Sequence, residues 1–334
     1  DALAAGGPGA GLAAEVSWFP GGGLNATRVV DGASLGSQTV AAADVDGDAD
    51  VDVVVAQEES GSVVWYENNG DESFSSRVIA AVCAGAAAAL PVDINSDGLV
   101  DVLVPAANTS RWGLTVYVDD GSMLTNYVGV ELAPQEWEHR AVAVADVDGD
   151  GALDAVSGGA GGVHWYDGSS EHAVLEGDYS SVAAGDVDGD GNTDIIATSL
   201  SSVVFMEHNG ASPPGFAYHV VALGYSPAGA AVCRLADLDG DGDEDVLCAV
   251  PNSDAVAWGE NDGAQSFAPR EIHGLLAASD VVAADLDGDA DLDAPAGVNL
   301  FMRYPSRRLA VAQVLAAVSK DDKVVWFESG AAPT

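Results

Sequence analysis

Basic residues are scarce in this chain of 334 residues: 11 Lys and Arg stand against 53 Asp and Glu, a formal charge of −42 at pH 7. A surface of that sign repels phosphate backbones and anionic lipid headgroups, which argues against nucleic acid and electrostatically held membranes as partners. Cations are the natural counterparts. Long apolar runs are missing as well. The longest, Val78 to Val92, is Ala-rich, contains Pro91 and ends at Asp93, short of the ~18 uncharged residues that a membrane helix needs. No basic n-region followed by an apolar h-region stands at the start, so no signal peptide is visible. No segment holds a 3.6-residue apolar period for three turns, which removes amphipathic helices as the building unit. Three Cys allow at most one disulfide, and no CxxC or Cys/His cluster suggests zinc. HExxH, phosphate-loop and dinucleotide motifs are absent. The six His are scattered without a nucleophile–base constellation, and Glu136, Glu138 and Arg140, the nearest thing to a lyase or hydrolase cluster, read as a solvated loop.

Glycine, at 40 residues, and hydrophobic residues, at 48%, are plentiful, so the chain has many turns and ample material for a core. Its organising feature is a repeat. DVDGDADVD begins at Asp44, and its relatives begin at Asp93, Asp146, Asp186, Asp237 and Asp285, at spacings of 49, 53, 40, 51 and 48 residues. That period suits four-stranded propeller blades. A short apolar run precedes each loop, as in 39–43, 141–145, 181–185 and 280–284. A second run follows it (53–56, 195–198, 246–250), then an aromatic run (63–68, 163–167, 203–209, 255–261), and in some units a fourth (76–80, 218–222). Short β-branched or small-residue runs bounded by Gly, Asp and Asn predict strands. The expectation is an all-β chain forming one β-propeller domain over 1–334, with units near 1–37, 38–80, 81–132, 141–176, 180–223, 229–274 and 279–330.

Asp1-Ala-Leu-Ala-Ala and Val16-Ser-Trp-Phe align with Asp154-Ala-Val-Ser-Gly and Val163-His-Trp-Tyr, which makes residues 1–30 the last three strands of a unit. The tally is three strands, five units of four, then three: seven blades with the first and last incomplete, as expected of a piece of a longer precursor. Six blades, with 1–37 belonging to a neighbouring element or overlapping to close the ring, is the alternative. About 20 extra residues, 294–313, interrupt the last unit between Asp293 and Val314 and carry Arg303, Arg307 and Arg308. They read as a loop excursion or a retained non-coding segment, with a binding insertion as the alternative.

The chemistry lies in the Asp loops. Positions 1, 3, 5 and 9 are Asp44, Asp46, Asp48 and Asp52; Asp93, Asn95, Asp97 and Asp101; Asp146, Asp148, Asp150 and Asp154; Asp186, Asp188, Asp190 and Asp194; Asp237, Asp239, Asp241 and Asp245; and Asp285, Asp287, Asp289 and Asp293. In a tight loop this alternation turns the oxygens toward one centre. Position 7 adds a backbone carbonyl, from Asp50, Leu99, Ala152, Asn192, Asp243 and Asp291. Hard oxygens in an irregular cage of high coordination number suit Ca²⁺ better than Mg²⁺, so up to six Ca²⁺ are expected. An EF-hand would need an acidic residue at position 12 and flanking helices. Position 12 is Val55, Val104, Ser157, Ala197, Cys248 and Ala296, and the flanks have strand character. Gly151, Gly191 and Gly242 hold position 6, where a positive φ suits glycine, whereas Ala49 and Ala290 replace it in loops one and six. Loops three, four and five are expected to bind most tightly. Loop two departs furthest, with Asn95 and Ser96, and a plain acidic turn is its alternative.

The pattern ADVDGDGxxD, a strand, then VVWYEN-G resembles the FG-GAP/VCBS-type repeat of integrin α-chain-like β-propellers. The resemblance covers the chain apart from 294–313. It implies a loop between the first two strands of each blade that binds Ca²⁺ through positions 1, 3, 5, 7 and 9. It further implies an extracellular or cell-surface protein that binds protein or glycan. Some such propellers are carbohydrate-active enzymes, and a structural segment of a larger surface protein is a third possibility; a monomer or part of a longer chain is expected.

Trp18, Trp65, Tyr117, Trp165, Phe205, Trp258 and Trp326 recur once per unit and read as core. Trp112 and Trp137 fall off that register and are the candidate ligand-contacting aromatics. Cys233 and Cys248 flank loop five, close enough for a bridge but expected to be buried free thiols. Asn25-Ala-Thr and Asn108-Thr-Ser are glycosylation sequons.

Overall fold

The computed structural model describes residues 2–5, 16–19, 28–31, 37–57, 60–71, 73–81, 83, 85, 86, 88–108, 111–119, 121, 127–132, 138–168, 170–221, 232–250, 255–263, 266–273, 278–283, 314–318 and 323–326. Among these residues the chain is all-β, in consecutive antiparallel meanders that are the blades of a β-propeller. No helix in the described residues is long and apolar enough to cross a membrane.

The chain divides into two compact units, 1–179 and 180–334. In the first, β1 (Ala2–Ala5), β2 (Val16–Phe19) and β3 (Arg28–Asp31) form a three-stranded sheet. The second sheet holds β4 (Ser37–Ala43), β5 (Asp52–Gln57), β6 (Ser62–Asn68) and β7 (Phe74–Ala80). The third holds β8 (Leu90–Val92), β9 (Asp101–Asn108), β10 (Arg111–Asp119) and β11 (Tyr127–Glu131). The fourth holds β12 (His139–Ala145), β13 (Asp154–Gly159), β14 (Gly162–Tyr166) and β15 (Glu171–Leu175).

The fifth sheet holds β16 (Tyr179–Gly185), β17 (Asp194–Ser199), β18 (Val203–His208) and β19 (Phe216–Val221). In the second unit the sixth sheet follows with β20 (Val232–Ala236), β21 (Asp245–Val250), β22 (Ala255–Asn261) and β23 (Phe267–His273). The seventh has β24 (Ala278–Ala283), β25 (Val314–Val318) and β26 (Lys323–Trp326). The tally of three, five times four and three strands is the seven-blade count expected from the repeat. The segment 294–313 and loop six lie outside the described residues. The VLAAV run after that segment nonetheless pairs with β24 as a second strand should, Val314 opposite Ala283.

Burial explains the composition of the runs. The second strands β5, β13 and β21 are buried along their whole length, so they read as continuous apolar runs rather than alternating ones. The fourth strands β7, β15 and β19 alternate or face solvent, and they carry the charged and hydroxyl residues. Side chains of one sheet interlock with the next. Val54 and Trp65 of the second sheet pack with Val102 and Val104 of the third. Leu103 and Leu114 of the third meet Ala155 and Tyr166 of the fourth. In the second unit, Ile196 and Phe205 of the fifth sheet meet Val246 and Cys248 of the sixth. Trp65, Trp165, Phe205 and Trp258 are buried as expected, and Tyr117 packs partly buried against the same core. Trp18 and Trp326 sit on β2 and β26 at the corresponding backbone positions.

One expectation is corrected. Cys233 and Cys248 are not free thiols: they lie directly opposite each other across β20 and β21, with Cα atoms 4.1 Å apart, and form a disulfide. Direct cross-strand partners project to the same face of an antiparallel pair, which is what a bridge requires. Cys83 is free and buried.

Candidate metal centres

Each described loop is wound by its own carboxylates. The position-1 Asp collects the amides of positions 4, 5 and 6. Asp146 Oδ1 accepts from Gly149 N at 2.8 Å and Asp150 N at 3.0 Å, and Oδ2 from Gly151 N at 2.9 Å. Asp44 does the same with Gly47, Asp48 and Ala49, and Asp237 with Gly240, Asp241 and Gly242. In loop four Asp186 Oδ2 accepts from Gly191 N at 2.9 Å, and in loop two Asp93 accepts from Asp97 N and Gly98 N. Position 5 accepts the amide of position 7: Asp48 from Asp50, Asp97 from Leu99, Asp150 from Ala152, Asp190 from Asn192 and Asp241 from Asp243, all at 2.8–3.0 Å. Position 3 accepts the amide of position 5: Asn95 from Asp97, Asp148 from Asp150, Asp188 from Asp190 and Asp239 from Asp241.

This winding needs positive φ at positions 4 and 6. Gly149 and Gly151 show +74° and +91°, and Ala49 and Ser96 adopt +74° and +58° without being glycine. Such a conformation costs a non-glycine residue roughly 1 kcal/mol.

Position 9 has a second task that the motif does not announce. Asp52, Asp101, Asp154, Asp194 and Asp245 are 0–3% exposed. In four of them Oδ2 accepts the position-2 amide, from Val45, Val147, Val187 and Leu238. Oδ1 reaches the end of the third strand, accepting from Asn68 N, Asp119 N, His208 N and Asn261 N in loops one, two, four and five. The same carboxylate therefore anchors the loop to its sheet. Asp101 follows the same pattern, with the Asp119 amide on Oδ1 at 3.0 Å and the position-2 amide of Ile94 against the carboxylate.

Burial, with added repulsion from neighbouring loop carboxylates, pushes these acids up: Asp154 and Asp245 to about 6 and Asp194 to about 7, against an ordinary 3.8, while the amide bonds pull the other way. Asp52 and Asp101 shift upward for the same reasons. Asp46 and Asp239 are raised by burial and then by Asp48 and Asp241.

The convergence is specific. In loops three, four and five the position 1, 3 and 9 carboxylates, Asp146/Asp148/Asp154, Asp186/Asp188/Asp194 and Asp237/Asp239/Asp245, each offer one oxygen within 4.8 Å of the others. Loop one brings Asp44, Asp46 and Asp48 together instead. Among the described residues Asp50, Asp52, Asp150, Asp190, Asp241 and Asp243 do not join these triads, and loop two, with Asn95, forms none. Asp285, Asp287, Asp289, Asp291 and Asp293 lie outside the described residues. Nearby guanidinium groups are engaged elsewhere, Arg77 with Glu67 and Arg270 with Glu260. Clustered carboxylate oxygens, one of each triad in loops three to five buried, fit a hard divalent cation.

The aromatic candidates contribute nothing comparable. Trp137 and Glu136 lie outside the described residues, and Trp112 is described only by its backbone, opposite Ala107 on the β9–β10 hairpin. Arg140 pairs with Glu138 at 2.8 Å and with Asp178. His139 is buried, with Nδ1 3.0 Å from Ser157 Oγ.

A family model described as an FG-GAP-like repeat matches residues 44–104, 93–157 and 237–294, more than half of the chain, and one described as an FG-GAP repeat matches 179–205. No curated protein matches. Among solved structures the chain is similar to an Agrocybe aegerita lectin described for its specific recognition of non-reducing terminal N-acetylglucosamine. That likeness has 19% identity over 84% of this chain and 81% of the other, with a TM-score of 0.58. The chain is also similar to virginiamycin B lyase from Staphylococcus aureus, with 10% identity over 87% of this chain and 94% of the other and a TM-score of 0.52. At these identities the likeness establishes the fold.

Proposed function

The chain belongs to the family of FG-GAP-like repeat proteins, and from that membership and the loop geometry we propose that it is an extracellular, calcium-binding β-propeller that acts as a binding module for a protein or glycan ligand. The observation that carries the reading is the recurrence of the same 1/3/9 carboxylate triad in loops three, four and five, each wound by its own backbone amides. Positions 1, 3, 5 and 9, with the carbonyl of position 7, are the residues that would hold Ca²⁺. Bound Ca²⁺ supplies positive charge that offsets the mutual repulsion of these acids.

The carboxylates then do two things of their own. They fix the hairpin between the first and second strands of each blade, and through position 9 they tie that hairpin to the third strand. Rigid hairpins repeated along the chain give a preorganised surface for recognition. The net charge of −42 directs that surface away from anionic partners. The test has two parts. Metal analysis of protein equilibrated with Ca²⁺ and desalted is expected to find several equivalents. Glycan and extracellular-protein arrays, probed with and without chelator, are expected to show calcium-dependent capture. Arrays that stay silent in the presence of Ca²⁺ contradict the binding-module reading, and protein free of Ca²⁺ contradicts the loop assignment.

A further inference from the structure

Two residues in the second unit differ from all their counterparts. The residue preceding the first loop Asp is Ala43, Val92, Ala145, Ala236 or Ala284 elsewhere, but Gly185 before loop four. The residue preceding the ninth-position Asp is Val51, Val100, Leu153, Thr193 or Leu292 elsewhere, but Glu244 in loop five. The fold brings the two together. A Cβ at Gly185 would collide with Glu244 Oε2 and lie 3.0 Å from its Cδ, so the carboxylate occupies the notch that the missing side chain leaves.

Glu244 Oε2 is buried there without a hydrogen-bond partner, against the residue that immediately precedes Asp186, the first residue of loop four. The same seam between the fifth and sixth sheets is closed by polar contacts. Asn261 Nδ2, which holds Glu244 O at 3.0 Å within its own blade, donates to Val187 O at 2.6 Å across the seam, and Cys233 N donates to Ser181 Oγ at 3.3 Å. A carboxylate oxygen buried beside a second carboxylate is costly unless positive charge is close by.

We propose that Glu244 reaches across this seam to add its negative charge to the divalent-cation site of loop four, so that cation binding by Asp186, Asp188 and Asp194 is coupled to the docking of the sixth sheet on the fifth. The proposal rests on the reading that loop four holds Ca²⁺. Gly185 is the steric condition for the coupling, and Glu244 is its charge. Without the cation the seam carries facing acids; with it, the same acids attract a common centre.

Calcium titration and thermal unfolding of the full chain test this, comparing the parent protein with Glu244→Gln, Gly185→Ala, Asp186→Asn and the Asp186→Asn/Glu244→Gln pair. Glu244→Gln keeps the shape and removes the charge. It is expected to weaken the site that Asp186→Asn abolishes by about tenfold, since removing a neighbouring negative charge lowers the attraction for the cation, and to leave the other sites unchanged. It is also expected to raise the melting temperature in chelator. Gly185→Ala, which evicts the carboxylate, should weaken the same site. In the Asp186→Asn background Glu244→Gln should no longer change calcium affinity. An unchanged affinity for Glu244→Gln, or an equal loss of stability with and without Ca²⁺, overturns the coupling alone. A parent protein that takes up no Ca²⁺ overturns the loop reading and the coupling with it.

Discussion

Asp245 and Asn261 are joined by a 2.7 Å hydrogen bond from the Asn261 backbone N–H to Asp245 Oδ1, while Asp245 Oδ2 accepts the Leu238 N–H at 3.0 Å. One buried side chain thus holds the start of its loop and the end of the third strand, 16 residues further along the chain. Replacing it by Ala leaves two inward amides unpaired, each costing roughly 1–3 kcal/mol. Asp245→Ala is therefore expected to lose about 2–5 kcal/mol in denaturant unfolding even in chelator. Asp241→Ala, an exposed member of the same loop outside its triad, should lose much less. Equal losses contradict the anchoring role of position 9.

The buried acids set a pH dependence with a definite sign. The folded-state values of Asp154, Asp194 and Asp245, at about 6, 7 and 6, lie above the ordinary 3.8. Between these values the folded, metal-free protein binds more protons than the unfolded chain. The stability these three acids contribute is therefore fully present below pH ~4 and is lost as pH rises through 6–7. Calcium, by favouring the ionised carboxylates, should flatten or reverse that fall. Melting temperature against pH, in chelator and in Ca²⁺, reads it directly; parallel curves contradict it.

His139 works in the opposite direction. Burial, and then the neighbouring His164, lower it to about 4 from 6.5. The folded state keeps the ring neutral, so the stability it contributes is present above pH 6.5 and is lost as pH falls toward 4, by up to about 3 kcal/mol. In Ca²⁺-loaded protein, His139→Gln is expected to reduce the acid-side loss between pH 6.5 and 4. An unchanged acid limb rules His139 out as its source.

Much of this architecture was legible in the sequence because the blades whose burial is described repeat one pattern. Val53 to Ala56 and Ile195 to Ala197 are continuous apolar runs because their strands are buried on both faces, and the Trp65 register repeats because it fills the space between sheets. The loop acids were legible because their spacing is fixed by the winding of the hairpin. The anchoring role of Asp52 and Asp245 was not, since the partners, Asn68 N and Asn261 N, are backbone groups with no sequence signature. The Cys233–Cys248 bridge was hidden for a related reason. Whether two residues flanking a loop face each other depends on a one-residue register that composition does not encode.

That bridge closes a loop of 15 residues around loop five. Cross-linking a loop of this length contributes about 3 kcal/mol by restricting the unfolded chain. The Cys233→Ser/Cys248→Ser protein should unfold at correspondingly lower denaturant under oxidising conditions, and a reductant should shift only the parent. A parent protein indifferent to reductant contradicts the contribution of the bridge.

Ala49 at φ +74° and Ser96 at +58° occupy positions where the other described loops place glycine. Ala49→Gly and Ser96→Gly should each stabilise the protein by up to about 1 kcal/mol, while Gly151→Ala, at +91°, should destabilise it by a similar amount. Thermal melts of the three variants decide it; a loss of stability in either glycine variant contradicts the strain assignment.

The most direct measurement is thermal unfolding of the intact chain, at neutral pH, in excess Ca²⁺ and in strong chelator. A cation that binds only the folded state stabilises it by about 2.7 kcal/mol per site at a hundredfold excess over Kd. With several such loops a large rise in melting temperature with Ca²⁺, reversed by chelator, is expected. Identical melting temperatures in the two conditions would contradict it.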